Sequence, residues 1–149
     1  MKLLLVEDDP LVGPAAKAVL EQAGYTIFGP LRDAVKAARV AGREQPDLAL
    51  VDVHLPGGVD GLTLARRLWT EHRIPTLLMT GFDHHADEVR DLAVGLLRKP
   101  VMPATLIDAV GTVGETLAGL RPSAIPPALE LFAAPIAAAA SSSPERLRA

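Results

Sequence analysis

Four short apolar runs, each leading to charged or hydroxyl side chains, constrain the fold of this chain more than any other feature. Short apolar runs separated by helical patterns are typical of buried parallel strands. In an open parallel sheet, ligands bind outside the carboxyl ends of the strands. We therefore expect the polar residues after the runs to converge at one edge of one sheet. The runs are residues 3–6, 48–51, 76–79 and 96–97, and they lead to Glu7, Asp8 and Asp9, to Asp52, to Thr80 and, past Arg98, to Lys99.

The converging carboxylates predict a bound cation. Several carboxylates close together repel one another unless a cation neutralises them. Hard oxygen ligands favour Mg²⁺, which takes few carboxylates and several waters. Lys99 beside this cluster adds a position for an incoming anion such as a phosphoryl group.

Composition excludes several classes of protein. The chain of 149 residues has no cysteine, which rules out disulfides and thiolate metal sites. With a net charge of −3, the chain lacks the excess of basic residues that is typical of nucleic-acid-binding proteins. Neither a bilayer-spanning apolar stretch nor a signal peptide is evident in the sequence. We expect one soluble cytoplasmic domain that binds neither nucleic acid nor a membrane.

Apolar periodicity predicts alternating strands and helices along the first four fifths of the chain. This order predicts an α/β fold with a doubly wound, five-stranded parallel sheet and helices on both faces. Gly29-Pro30 is expected to be a turn. The predicted strands are residues 2–6, 25–28, 48–51, 74–79 and 95–98, and the predicted helices follow Pro10, cover residues 33–43, 61–71 and 84–92, and begin again at Pro103.

The composition changes after residue 120. Several prolines interrupt any long helix, and residues 137–143 are only alanine and serine. We expect a folded domain over residues 1–120 and a disordered or loosely docked tail over residues 121–149, with no second folded domain. Deletion of residues 122–149 should then leave the fold unchanged. Docking of the tail through its apolar residues stays open as the alternative; these are Leu129, Leu131, Phe132 and Ile136.

Four segments give the chain its resemblance to a known family. They are LLVEDDP at residues 4–10, DLALVDVHLPGGVDG at 47–61, PTLLMTG at 75–81 and LRKP at 97–100. In this order and spacing they resemble a response-regulator receiver domain of bacterial two-component signalling. The resemblance implies a flavodoxin-like fold and a switch that accepts a phosphoryl group from a histidine kinase or phosphotransfer protein. Its output would be a protein–protein contact, and a homodimer is left open.

The resemblance also implies roles for residues at the strand ends. Asp52 would be the nucleophile that becomes an acyl phosphate. Lys99 and the hydroxyl of Thr80 would bind the phosphoryl oxygens, together with the backbone N–H groups of Val53 and Gly81. Beyond this phosphorylation and its reversal, no enzymatic activity is expected.

The same resemblance assigns ligands to Mg²⁺. Asp8 and Asp52 would bind the ion directly, with the backbone carbonyl of His54 as a third ligand and Glu7 acting through water. Asp9 is a candidate accessory acid, although a helix cap explains it equally well.

Two features depart from the family pattern. Receivers usually carry an aromatic residue three positions before the lysine, where it swings inward on phosphorylation, and this chain has Leu96. The stretch between Thr80 and Lys99 is also short, which predicts an abbreviated fourth helix. The resemblance further implies a cis peptide bond between Lys99 and Pro100.

Two other functional classes use similar residues. A Mg²⁺-dependent phosphohydrolase of the haloacid-dehalogenase type needs its nucleophile on the first strand and a second Asp two residues later. Here the residue two after Asp52 is His54. A pseudo-receiver adaptor that works without phosphorylation is disfavoured because Asp8, Thr80 and Lys99 are all retained alongside Asp52.

Overall fold

The computed structural model of the protein describes residues 1–81 and 86–132, without the side chain of Ala86. Within these residues six strands and five helices follow one another along the chain. The elements are β1 (Lys2–Val6), α1 (Val12–Gln22), β2 (Thr26–Leu31), α2 (Ala34–Glu44), β3 (Leu48–Asp52), α3 (Gly61–His72), β4 (Thr76–Thr80), α4 (Ala86–Val89), β5 (Gly95–Arg98), α5 (Pro103–Leu117) and β6 (Leu129–Leu131).

The strands form one sheet in the order β2-β1-β3-β4-β5-β6. The first five strands are mutually parallel, and this confirms the predicted doubly wound α/β fold. Parallel neighbours need crossover connections, which the helices supply. The strand order moves outward in both directions from β1 and β3, so the first two polar strand ends lie side by side in the middle of the sheet.

Alternation of side chains along the strands divides the core into two layers. Leu4, Val51 and Leu78 belong to a buried cluster with Ala37 of α2 and Leu68 of α3. The residues next to them in sequence face the other way. They form a second buried cluster with α1 and α5, whose members include Leu5, Leu50, Leu77, Leu20 and Val110. Both faces of the sheet are therefore covered, as the continuous apolar runs predict.

The predicted turn at Gly29-Pro30 is wrong, because β2 continues through both residues to Leu31. The Gly29–Pro30 peptide bond is cis, and Gly29 has φ of 127°. A Cβ at Gly29 would overlap the carbonyl oxygen of Leu5. Glycine therefore lets β2 pass close to β1, where the pairing register shifts between Leu4 and Val6.

The predicted helix at residues 84–92 ends earlier than expected, at Val89. The structure has only Ala86–Val89 as helix, and His84 and His85 lie outside the described residues.

The predicted end of the folded domain near residue 120 is also corrected. Leu129–Leu131 add a sixth strand, antiparallel to β5. The next residue, Phe132, is only 2% exposed. The docking alternative therefore holds for Leu129, Leu131 and Phe132, because β5 would otherwise leave an unpaired edge. Ile136 lies outside the described residues, and a separate tail beyond Phe132 stays a prediction.

Candidate functional site

The strand register brings the predicted polar residues to one edge of the sheet. Val6 of β1 pairs with Val51 of β3, so Glu7 and Asp52 come next on adjacent strands. Asp52 pairs with Met79 of β4. Thr80 at the end of β4 pairs with Arg98 of β5, and Lys99 follows. Four strand ends thus place their polar residues side by side.

The Lys99 ammonium lies between two buried carboxylates. Its Nζ donates hydrogen bonds to Glu7 Oε2 and to Asp52 Oδ2, both at 2.9 Å. Glu7 is 2% exposed and Asp52 is 7% exposed. Two acids therefore share one cation where little solvent reaches them. The ionisation of each group then depends strongly on the charges of the other two.

A cluster of three carboxylates occupies the same edge. One oxygen from each of Glu7, Asp8 and Asp52 lies within 4.8 Å of the other two. Lys99 compensates part of this negative charge, and the remaining excess calls for a further cation. The donor set consists of oxygen atoms from a few carboxylates, and this chemistry fits Mg²⁺.

Burial raises the pKa of Glu7 to about 7. The nearby Asp52 carboxylate adds to this rise, while the hydrogen bond from Lys99 opposes it. For Lys99, burial lowers the pKa, but hydrogen bonds to Asp52 and Glu7 outweigh it and hold the pKa above its usual value. The lysine is therefore firmly charged, and Glu7 is the acid that titrates near neutral pH.

Asp9 belongs to the start of the first helix rather than to the acidic cluster. Its Oδ1 accepts hydrogen bonds from the backbone N–H groups of Leu11 at 2.8 Å and Val12 at 3.1 Å. These bonds lower the pKa of Asp9. The Asp9 side chain thus binds the turn that leads into α1, and its role as an accessory acid stays a prediction.

The prediction for the backbone N–H of Val53 is wrong. This group donates to the carbonyl oxygen of Met79 at 2.9 Å and so extends the pairing of β3 with β4. The next amide, of His54, donates instead to Asp52 Oδ1 at 2.9 Å. Backbone amides of a strand point alternately to opposite sides, so the residue two after Asp52 provides the amide at the site.

Thr80 and Gly81 lie beside Lys99. Thr80 is 1% exposed, and its carbonyl oxygen accepts from the backbone N–H of Lys99 at 2.8 Å. A Cβ at Gly81 would meet the Cβ of Lys99 at 3.8 Å, an ordinary contact distance. The Lys99–Pro100 bond is cis, as the resemblance implies. These residues fix the backbone around the lysine.

Leu96, at the expected switch position, is fully buried. It pairs with Leu78 of β4 on one side and with Glu130 of β6 on the other. Its side chain belongs to the same buried cluster as Phe132. Phe132, which directly follows β6, is a residue of this region whose docking the sequence alone leaves open.

A cavity of about 630 Å³ opens next to the site. Its lining is mainly apolar and comes from α1, from the loop after β5 and from the start of α5, with Glu7 and Lys99 also in its wall. Leu11 at its rim is 80% exposed, and Met102 nearby in sequence is 68% exposed. The site thus borders apolar surface as well as charge.

Residues 3–111 match the family model of the response regulator receiver domain. The chain belongs to this family. Receiver domains bind Mg²⁺ at an acidic pocket and interact with histidine kinases and downstream effectors. Glu7, Asp8 and Asp52 form such an acidic pocket here. No helix in the described parts of this receiver domain combines the length and the apolar character needed to cross a bilayer.

Similar proteins carry receiver domains next to further sequence. The transcriptional activator protein IrlR of Burkholderia pseudomallei is 35% identical over 117 residues, which are 78% of this chain and 50% of that protein. The regulatory protein VanR of Enterococcus faecium is 30% identical over 73% of this chain and 48% of its own length. The chain therefore spans about half the length of these relatives.

Solved structures show the same receiver architecture. The BeF₃-activated receiver domain of Klebsiella pneumoniae RstA has a TM-score of 0.66 and 33% identity, covering 74% of this chain and 96% of that one. A two-component response regulator of the LuxR family from Aurantimonas sp. SI85-9A1 has a TM-score of 0.71 and 26% identity. That match covers 98% of this chain and 97% of the other.

The raised pKa of Glu7 predicts an unusual pH dependence for the metal-free receiver. The pKa rises from 4.5 to about 7 on folding, so the folded state binds the proton more tightly between these values. The free energy of unfolding should therefore fall by up to about 3 kcal/mol from Glu7 as pH rises from 4.5 to 7. Glu7→Gln should remove this loss. Urea unfolding of both proteins across this pH range, with a chelator present, measures the difference, and parallel pH curves would contradict it.

Proposed function

We propose that this receiver domain is a phosphorylation-controlled signalling switch and that Asp52 accepts the phosphoryl group. The observation that carries the proposal is the placement of Asp52. Its carboxylate is buried at a strand end, one oxygen bonded to Lys99 and the other to the His54 amide. Family membership supports the switching role. The phosphodonor would be a histidine kinase or a histidine phosphotransfer protein in the cytoplasm.

The residues at the site can support this transfer. An oxygen of Asp52 attacks the phosphorus of a phosphohistidine and forms the O–P bond of an acyl phosphate. The P–N bond breaks, and the imidazole nitrogen keeps the electron pair and is protonated. The Lys99 ammonium, already 2.9 Å from an Asp52 oxygen, is placed to bind a phosphoryl oxygen. Positioning and charge neutralisation of this kind account for most of catalysis in phosphoryl transfer.

The acidic cluster supplies a place for Mg²⁺. Asp8 and Asp52 would hold the ion directly, Glu7 through water, and the carbonyl of His54 is the proposed third protein ligand. Bound there, the ion would neutralise charge on the transferring phosphoryl group. Hydrolysis by water would return Asp52 to its free form, and no other reaction is proposed.

The output is proposed to be a protein–protein contact. The named relatives include transcriptional regulators and a protein-glutamate methylesterase from Hahella chejuensis, which is 30% identical and of which the chain covers 27%. Whatever those proteins do through their other parts does not carry over to this receiver.

The exposed Leu11 and Met102 offer apolar surface next to the site that suits a protein phosphodonor.

Phosphorylation of Asp52 can be tested with the matched acid Asp60. Asp60 caps α3 by accepting from the Thr63 amide at 2.8 Å, and asparagine caps helices equally well. With Mg²⁺ and a small phosphodonor, intact mass should show one phosphate on the parent and on Asp60→Asn. Asp52→Asn should carry none. Asp8→Asn should need far more Mg²⁺ for the same yield. Equal labelling of Asp52→Asn would refute the assignment.

A further inference from the structure

The end of β5 is held by hydrogen bonds from both sides. The backbone N–H of Lys99 donates to the Thr80 carbonyl of β4 at 2.8 Å. The backbone N–H of Arg98 donates in the opposite direction, to the Ala128 carbonyl beside β6, at 3.0 Å. Two consecutive amides are thus fixed by different neighbours. The residue that carries the site's ammonium group lies where these two restraints meet.

Phe132 anchors β6 at the other end of β5. Its backbone N–H donates to the Val94 carbonyl at 2.8 Å. Its ring belongs to a buried cluster with Val89 and Leu96, and the guanidinium carbon of Arg90 lies 5.4 Å from the ring centroid. This aromatic side chain packs in the same layer as Val89 of α4, and β6 therefore restrains β5 along its whole length.

Gly95 makes the close approach of β6 possible. A Cβ at this position would lie 2.7 Å from the Glu130 carbonyl oxygen and 3.3 Å from Leu77 Cδ1. The first of these distances is shorter than real Cβ contacts, and the neighbour is backbone that cannot turn aside. The sequence of β5 is therefore matched to the presence of β6.

We propose that β6, anchored by Phe132, is a positioning element for Lys99. Without β6, the four residues of β5 would form a sheet edge with one hydrogen-bonded neighbour, and the backbone of Arg98 and Lys99 would gain freedom. The Lys99 ammonium would then meet Asp52 and its phosphoryl group less often in the required geometry. This inference rests on the proposed phosphorylation of Asp52.

Linkage makes the effect reciprocal. If docked β6 favours binding of a phosphoryl group beside Lys99, then that group must favour docked β6 by the same factor. In the full chain with Mg²⁺, fluoroberyllate serves as the phosphoryl probe. Its binding should slow hydrogen exchange of the Phe132 and Arg98 amides, which bond across the β5–β6 pair.

Two substitutions test the role of β6 from its two sides. Phe132→Ala removes the anchor, and Gly95→Ala pushes the strand away. We expect each to weaken fluoroberyllate binding about tenfold, within the usual range for coupled sites, and to slow phosphorylation by a small donor similarly. Affinity for Mg²⁺ alone should not fall, because Lys99 is not a metal ligand and its ammonium competes with the ion for Glu7 and Asp52. Phe132→Leu should restore most of the loss.

Leu20→Ala provides the matched control. Leu20 is fully buried on α1, in the cluster on the face of the sheet opposite the Phe132 ring. Because α1 packs mainly on β1, β2 and α5, truncation of Leu20 costs stability while leaving the Phe132 anchor in place. At a temperature where all variants are folded, it should bind the probe as the parent does. Equal weakening in Leu20→Ala, or parental binding by folded Phe132→Ala, would overturn the positioning role. A parent that neither binds fluoroberyllate nor becomes phosphorylated would instead refute the proposed function.

Discussion

Lys99→Met is expected to abolish measurable phosphorylation of Asp52 and to destabilise the fold at the same time. The substitution leaves Glu7 and Asp52 buried beside each other without the ammonium that both now bind at 2.9 Å. Removing one partner of a buried ion pair costs about 3–5 kcal/mol. Because the Lys99 side chain is 22% exposed, we expect the lower end, about 3 kcal/mol. Urea unfolding at pH 8 with a chelator measures this loss of stability. Intact mass after treatment with a phosphodonor measures the loss of phosphorylation.

The stability loss should depend on pH in a defined direction. At pH 8, above the raised pKa of Glu7 in the parent, loss of the lysine leaves Glu7 either charged beside Asp52 without a cation or forced to take up a proton, and both cost free energy. At pH 5, Glu7 holds a proton in the folded state, so Lys99→Met should cost less. Lys17→Met is the control, since Lys17 lies 3.9 Å from Glu21 in a surface pair worth well under about 1 kcal/mol. If Lys99→Met and Lys17→Met unfold at the same urea concentration, the buried triad contributes nothing to stability.

The parallel part of the fold follows from local patterns in the sequence. β1 and β5 have the predicted bounds, since a short apolar run between polar residues has few other ways to bury its side chains. Asp33 and Asp60 cap α2 and α3, with their side chains accepting from Lys36 and Thr63. Such caps act within four residues. Where one local signal of this kind sets the start of an element, its position follows from residues close by in the chain.

The sixth strand depends on a contact that no local pattern encodes. Leu129–Leu131 are three residues between prolines and an alanine-rich run, and no signal in the neighbouring sequence predicts a strand. They become a strand because β5 offers an edge and Gly95 offers space, more than thirty residues earlier in the chain. The hydrogen-bond partner of the Val53 amide is likewise set by a contact distant in sequence, because it depends on how far β3 pairs with β4.

The candidate site shows the same division. Residue types at strand ends predict a cluster of acids with a lysine, because parallel strands bring their carboxyl ends together. The sequence does not predict that one ammonium binds Glu7 and Asp52 simultaneously, or that burial raises the pKa of Glu7. These properties depend on atomic distances and burial. The roles of Thr80 and Gly81 toward a phosphoryl group stay predictions.

Removing residues 129–149 is expected to take away a large part of the stability of the receiver. The deletion exposes the β5 edge and removes two buried side chains, Phe132 at 2% and Leu129 at 4% exposure. Truncating one buried phenylalanine lowers the free energy of unfolding by about 3–5 kcal/mol. The whole free energy of unfolding of a domain is only about 5–15 kcal/mol. We expect a loss of at least about 5 kcal/mol by urea unfolding. Deletion of residues 133–149 retains every β6 contact described above and should have far less effect.

Gly95→Ala distinguishes loss of the β5–β6 contact from general damage by the deletion. In the full chain, the added methyl group meets the Glu130 carbonyl oxygen and Leu129 Cδ1, at 2.7 and 3.4 Å. Both atoms are absent after removal of residues 129–149, and of the three nearest atoms only Leu77 Cδ1, at 3.3 Å, remains. Gly95→Ala should therefore lower the free energy of unfolding clearly more in the full chain than in the shortened one. The difference between the two losses is the interaction energy of a double-mutant cycle. The clash with Glu130 exists only when β6 is docked on β5. Equal losses of stability in the full and shortened chains would therefore mean that β6 does not pack on Gly95 in solution.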